Sequence, residues 1–132
     1  MMKTRYLDVI AYQTKDGSEI RELMHPGTPV PGRQSLAEAV VQPGRKTVLH
    51  RHRATEELYH VTQGEGRMTL GSEFFAIASG DTVRIPPGTP HCVENSGRTP
   101  LHILCCCCPP YSHDDTELLG QPGSSSAVTA AL

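Results

Sequence analysis

The stretch Gly44-Arg45-Lys46-Thr47-Val48-Leu49-His50-Arg51-His52-Arg53-Ala54-Thr55-Glu56-Glu57-Leu58-Tyr59-His60-Val61-Thr62-Gln63-Gly64 decides how the chain is read. His50 and His52 lie two apart, and in an extended strand such residues project from one face, about 6.6 Å apart along the chain. Two imidazoles spaced in this way can converge on one ion. Glu57 follows five residues after His52, so an uninterrupted strand would send it to the opposite face. A turn through Arg53, Ala54, Thr55 and Glu56 is needed to bring its carboxylate back. Tyr59 and Val61 then share its inward face, with Leu58 and His60 outward.

A second cluster follows in Gly80, Pro86, Gly88, His91 and Asn95. Two prolines and a glycine fix a tight bend that delivers His91 at the start of a strand. Three neutral imidazoles and one carboxylate suit a borderline divalent metal, filling four positions of an octahedron and leaving two for water, substrate or dioxygen.

Around these clusters the chain reads as short strands separated by turns, which indicates an all-β sandwich or barrel. The expected strands are Glu57 to Gln63, Arg67 to Leu70, Phe74 to Ala78, Thr82 to Ile85 and Leu101 to Cys108. Val9 to Tyr12 and Ile20 to Met24 flank the Asp16-Gly17 turn signal as an opening hairpin, and Pro26 to Gly32 makes an irregular connection. Ser35 to Gln42 is a weak helix candidate, but Val40, Val41 and the Pro43-Gly44 turn favour a strand. Asp114 to Leu119 is read as a terminal helical turn, and 120–132 as a disordered tail after a single domain over 1–119.

Composition narrows the function classes. The 132 residues are 37% hydrophobic and 20% charged, with a net charge of −2, which suits one soluble domain. That balance lacks the basic excess that draws proteins to nucleic acid or anionic membranes. With no long apolar run and no apolar signal-peptide core near Met1 to Asp8, a cytoplasmic location is expected. Of five cysteines, four form the run Cys105 to Cys108. Neighbouring Cα atoms lie about 3.8 Å apart, below the usual ~4.4 to 6.8 Å of a disulfide. The thiols read as small apolar side chains in a buried strand, or as a reactive or metal-linked group. One face carries Leu101, Ile103, Cys105 and Cys107, the other His102, Leu104, Cys106 and Cys108, and either face can look inward.

Gly44-x5-His50-x-His52-x4-Glu57-x6-Gly64 and Gly80-x5-Pro86-x-Gly88-x2-His91-x3-Asn95 resemble the two motifs of the cupin superfamily at every signature position. Fifteen residues separate them, a compact spacing similar to that of small single-domain cupins. The motif-bearing core is placed at 35–110. The resemblance implies a double-stranded β-helix, a jelly-roll-like barrel of six to eight antiparallel strands that is usually dimeric. It also implies a divalent metal, whether Fe, Mn, Ni, Cu or Zn, held by the residues matching His50, His52, Glu57 and His91. Asn95 matches a structural position, and the six-residue gap to Gly64 selects Glu57 over Glu56. Cupins of this kind include dioxygenases, decarboxylases, isomerases and lyases as well as proteins that only bind, so the resemblance does not choose a reaction. The expectation is a metal-dependent enzyme for a small polar or anionic molecule, oxidoreductase or isomerase/lyase in type, with a non-catalytic binding or sensory module as the alternative. Tyr59 and a lumen thiol, represented by Cys106, are the catalytic candidates. Cys92 is expected in the core, Arg51 and Arg53 outside the lumen, and His25, His60, His102 and His113 on the surface. A homodimer is expected because a small open barrel leaves strand edges unpaired.

Overall fold

The computed structural model describes residues 3–14, 17–27 and 32–120. Asp16, Pro29, Pro31 and the expected tail from Gln121 onward lie outside the described residues. The strands are β1 (Tyr12–Gln13), β2 (Glu19–Met24), β3 (Ser35–Val41), β4 (His50–His52), β5 (Glu56–Gln63) and β6 (Glu65–Leu70). They continue with β7 (Glu73–Ala78), β8 (Thr82–Ile85), β9 (His91–Glu94), β10 (Leu101–Cys108) and β11 (Thr116–Leu118). They build two antiparallel sheets, in the orders β1-β2-β3-β10-β5-β8 and β11-β4-β9-β6-β7. The all-β jelly-roll barrel expected from the motifs is the fold observed. Among the described residues no helix is long and apolar enough to cross a membrane.

Strand register divides the interior into a polar end and an apolar one. In the β5–β10 pair Glu57 faces Cys107, Tyr59 faces Cys105 and Val61 faces Ile103. Across the other sheet Leu70 pairs with His91 and Met68 with Val93, while His50 pairs with His91. The charged and imidazole side chains therefore gather at one end. Val41, Val61, Met68, Ile77, Val93, Leu101 and Ile103 fill the rest as one buried cluster. Burying each such side chain stabilises the fold by roughly 1.5–3 kcal/mol, so the apolar end supplies the free energy that holds the polar end in place.

Three local expectations are revised. Asp114 to Leu119 is not a helical turn: β11 closes the open edge of β4, pairing Thr116 with His52 and Leu118 with His50. A three-residue β4 left at a sheet edge would expose its backbone, and β11 satisfies it. Gly120, placed in the tail, donates its N–H to Leu49 O at 3.0 Å. The opening hairpin is shorter than read, with β1 confined to Tyr12–Gln13 and a 3-10 turn at Tyr6–Asp8 before it. The strand favoured for Ser35 to Gln42 is observed as Ser35–Val41, buried on both faces, which explains its poor alternation. The Tyr6 hydroxyl donates to Glu38 on its outer side, and Arg21 sits 4.7 Å over the Tyr6 ring.

Asn95 ties the base of the barrel, donating to Val41 O and Thr99 O at 2.8 Å each and accepting the Gly97 N–H at 2.9 Å. That is the structural part its motif position implied. Gly64 has φ of +90°, and a Cβ there would stand 2.7 Å from Pro100 O. Both its left-handed backbone and the close approach of the β10 approach segment require glycine. A Gly64→Ala variant should lose about 1–3 kcal/mol of stability, read as a lower midpoint in urea denaturation.

Candidate metal centre

His50 and His52 come from β4, Glu57 from the start of β5, and His91 from the start of β9. All four are buried, with 0–2% of their surface exposed. The alternation of β4 places both imidazoles on the inner side, and the Arg53 to Thr55 turn returns Glu57 to that side, as parity demanded. One ligand atom from each of His50, His52 and His91 lies within 4.8 Å of the others. The His50 and His91 rings are 4.2 Å apart between centroids. The Glu57 Oε1 atom stands 3.1 Å from His52 Nε2 and 3.4 Å from His91 Nε2.

Each imidazole has its orientation set from behind. His50 Nδ1 lies 2.7 Å from Val48 O, and His91 Nδ1 lies 2.9 Å from Thr89 O. A carbonyl only accepts, so both Nδ1 atoms carry the hydrogen. His52 Nδ1 is 2.9 Å from Thr116 Oγ1, whose own hydroxyl donates to Ser112 O at 2.9 Å. That hydroxyl therefore accepts from His52 as well. In their neutral forms all three rings direct the lone pair of Nε2 inward, the arrangement a metal-binding histidine needs.

The consequence is electrostatic. Lone-pair nitrogens 3.1 and 3.4 Å from a carboxylate oxygen repel it unless a proton or cation lies between them. His91 Nε2 is buried and has no hydrogen-bond partner, since its 3.4 Å approach to Glu57 lacks the geometry of a bond. Burial, then the charges of His91 and His52, push the His50 pKa down to about 3. Burial works to raise Glu57, but the two imidazoles beside it, His52 ahead of His91, more than offset burial and hold the carboxyl below its usual range. Neutral imidazoles beside an ionised carboxylate form a donor set that fits a divalent cation.

The segment after β10 frames the site. Asp115 accepts from the Ala54 N–H at 2.9 Å and the Thr55 N–H at 3.0 Å, pinning the turn that brings Glu57 round. Gly88 N–H donates to His52 O at 2.6 Å, which docks the Pro86–Gly88 bend against the first motif. The Tyr111 ring meets His52 edge-on at 5.9 Å, and Tyr59 meets His91 at the same distance. Tyr59 thus lies on the inner wall, as its parity required.

Cys106 is corrected: β10 turns it to the exposed outer face, and the thiol that reaches the cluster is Cys107. Cys107 Sγ donates to Glu57 Oε2 at 3.3 Å, and burial together with the Glu57 and Glu22 carboxylates pushes its pKa far above the usual thiol range. Leu101 and Ile103 opposite polar His102 are the sequence signal that selects this face. Cys92 is buried, as expected, and also borders an outer groove of about 400 Å³ with Lys46, Thr69 and Phe74. Arg51 and Arg53 pair outside the barrel with Glu117 at 2.9 and 3.7 Å. His25, His60, His102 and His113 bond to Tyr111 O, Thr82, Glu38 and the Tyr111 hydroxyl, away from the centre. Thr116, Asp115 and Tyr111 were not singled out in the sequence, where no pattern links them to residues about 60 positions earlier.

An antiparallel β-barrel with histidines clustered at one end defines a class of small barrels that could hold a metal. The chain matches the Cupin domain family over residues 37–107 and belongs to it. It is 55% identical over 119 residues to an uncharacterised protein of Methanocaldococcus jannaschii, covering 90% of this chain and 95% of that one. It is 32% identical over 69 residues to an oxalate-binding protein of Thermotoga maritima, across 52% of this chain and 57% of that protein. The crystal structure of a predicted oxalate decarboxylase from Thermotoga maritima superposes with a TM-score of 0.73 at 24% identity, covering 82% of this chain and 99% of the other.

The shifted groups set a pH dependence. Unfolded, His50 takes up a proton below about 6.5, whereas in the barrel it does not until about 3. The unfolded state binds more protons across that window, so folding stability falls as pH drops through it, and Glu57 adds to the loss in the acid range. Chelator-treated protein should have a clearly lower denaturation midpoint at pH 4 than at pH 7.

Proposed function

We propose that His50, His52, Glu57 and His91 together hold a divalent metal ion, and that the protein is a metal-dependent enzyme for a small polar or anionic organic molecule. The observation that carries this reading is the set of inward Nε2 lone pairs crowded on a buried carboxylate, with His91 Nε2 lacking a partner. A bound ion would supply Lewis acidity, polarising an oxygen of the bound molecule. The chain's own residues keep that molecule in place and dry: Tyr59 and Tyr111 stand as aromatic walls beside His91 and His52. Among the described residues no lysine or arginine is buried, so an anionic group entering the barrel meets no protein counter-ion. Anion recognition then falls to the centre itself. The reaction types that fit are those of dioxygenases, isomerases, decarboxylases and lyases, and nitrogen and oxygen donors accept Fe, Mn, Ni, Cu or Zn alike.

The second reading is a barrel that captures its ligand without turning it over. It is supported by the Thermotoga maritima relative, whose name describes binding alone. Oxygen uptake and product formation from small carboxylic acids and sugar phosphates, with and without chelator, separate the two. Chelator-sensitive turnover supports the enzyme, and metal-dependent binding without turnover supports the module.

A homodimer in the cytoplasm completes the proposal. Leu7 and Ile10 beside the short edge strand β1 are 84% and 86% exposed, and all five cysteines are free thiols. Sedimentation should give twice the 14.3 kDa chain mass. A single species at the chain mass at micromolar concentration would exclude the dimer. Elemental analysis of untagged protein should show about one divalent ion per chain, in line with a single four-residue donor set, and His91→Ala should lose most of it. An unchanged metal content in that variant would remove the site assignment.

A further inference from the structure

Cys107 and Glu57 are register partners across the β5–β10 pair, and both side chains are buried. The thiol reaches Glu57 Oε2 at 3.3 Å, while Oε1 of the same carboxylate is the atom that faces His52 and His91. The two oxygens are therefore in different company. A half-turn about the last bond restores the same arrangement with the oxygens exchanged, but a rotation that turns both oxygens toward the histidines does not. The donor at Cys107 opposes that rotation, because it would leave the thiol without its acceptor among buried side chains, where an unmade hydrogen bond is expensive.

Resting on the metal reading above, we propose that Cys107 is a positioning residue that holds Glu57 Oε2, so that the carboxylate presents Oε1 alone to the histidine cluster. One carboxylate oxygen instead of two leaves more of a bound ion's surroundings for water or a substrate. Cys107 itself stays a donor to the carboxylate and does not become a ligand. Its neighbours in the thiol run differ: Cys106 and Cys108 are exposed on the outer face, and Cys105 Sγ contacts Ile103 O at 3.8 Å.

The test uses Co2+ as the probe on the full chain, with wild type, Cys107→Ala, Cys107→Val, Cys107→Ser and the outer-face control Cys106→Ser. Removing the donor should weaken Co2+ binding by roughly ten- to a hundredfold, as loss of a partner behind a metal ligand does, and should alter the visible d–d bands. Valine keeps the volume if alanine fails to fold. Serine, which retains a donor, should recover most of the affinity, and Cys106→Ser should match wild type. Wild-type affinity and spectrum in both Cys107→Ala and Cys107→Val would overturn the positioning role while leaving the metal site intact. A near-ultraviolet sulfur-to-cobalt charge-transfer band in wild type, absent in Cys107→Ser, would overturn it by making Cys107 a ligand. Failure of wild type to take up Co2+ or any other divalent ion would overturn the metal reading and this inference with it.

Discussion

Three imidazole lone pairs and a carboxylate oxygen share a dry space at one end of the barrel, and each pair of these acceptors repels the others. Bulk water does not reach the four side chains, which are almost fully buried. Positive charge among them relieves the repulsion. Each Nδ1 has its hydrogen committed to Val48 O, Thr89 O or Thr116 Oγ1, which leaves Nε2 as the inward atom of every ring. Burial, against the pull of the Val48 carbonyl, opposes double protonation of His50. The apolar end of the barrel sustains this arrangement, since an isolated polar cluster of this kind would cost several kcal/mol to bury.

The two sheets contribute unequally. The five-stranded sheet brings the three histidines together through β4 and β9, whose only register pair is His50 with His91. The six-stranded sheet supplies Glu57, Tyr59 and Cys107 from β5 and β10, which are joined by a long and nearly regular ladder. The carboxylate therefore stands on the firmer platform. The short β4 depends on outside support, which comes from β11 along its edge and from the Gly88 N–H on His52 O.

Much of this was legible in the chain. The spacing of His50 and His52 with Glu57 beyond a turn, and the Pro86–Gly88 bend before His91, foretold which side chains meet. Period-two alternation foretold that Tyr59 and Val61 face inward and Leu58 outward. What stayed hidden has a common physical origin, contact between segments distant in sequence. Asp115 and Thr116 act on residues about 60 positions away, and a short Asp-Thr-Glu-Leu stretch carries no mark of that partnership. β3 was legible as a strand only from Val40, Val41 and the turn after it, because Tyr6 and Arg21 stand on its outer side and the alternation by which a strand is recognised is weak there. The Cys105 to Cys108 run was ambiguous because four identical side chains have no amphipathic pattern; only Leu101, His102 and Ile103 break the symmetry.

The dependence of β4 on β11 has a bearing on how the protein comes into being. During synthesis the ligand-bearing strand leaves the ribosome well before Asp115, Thr116 and Leu118 do. Until those residues arrive, the His52 ring has no hydroxyl to lean on and the bend toward Glu57 has no carboxylate to fasten it. Assembly of the four-residue cluster is thus deferred until β11 has emerged, and a nascent chain carries its imidazoles without yet having a cage to place them in.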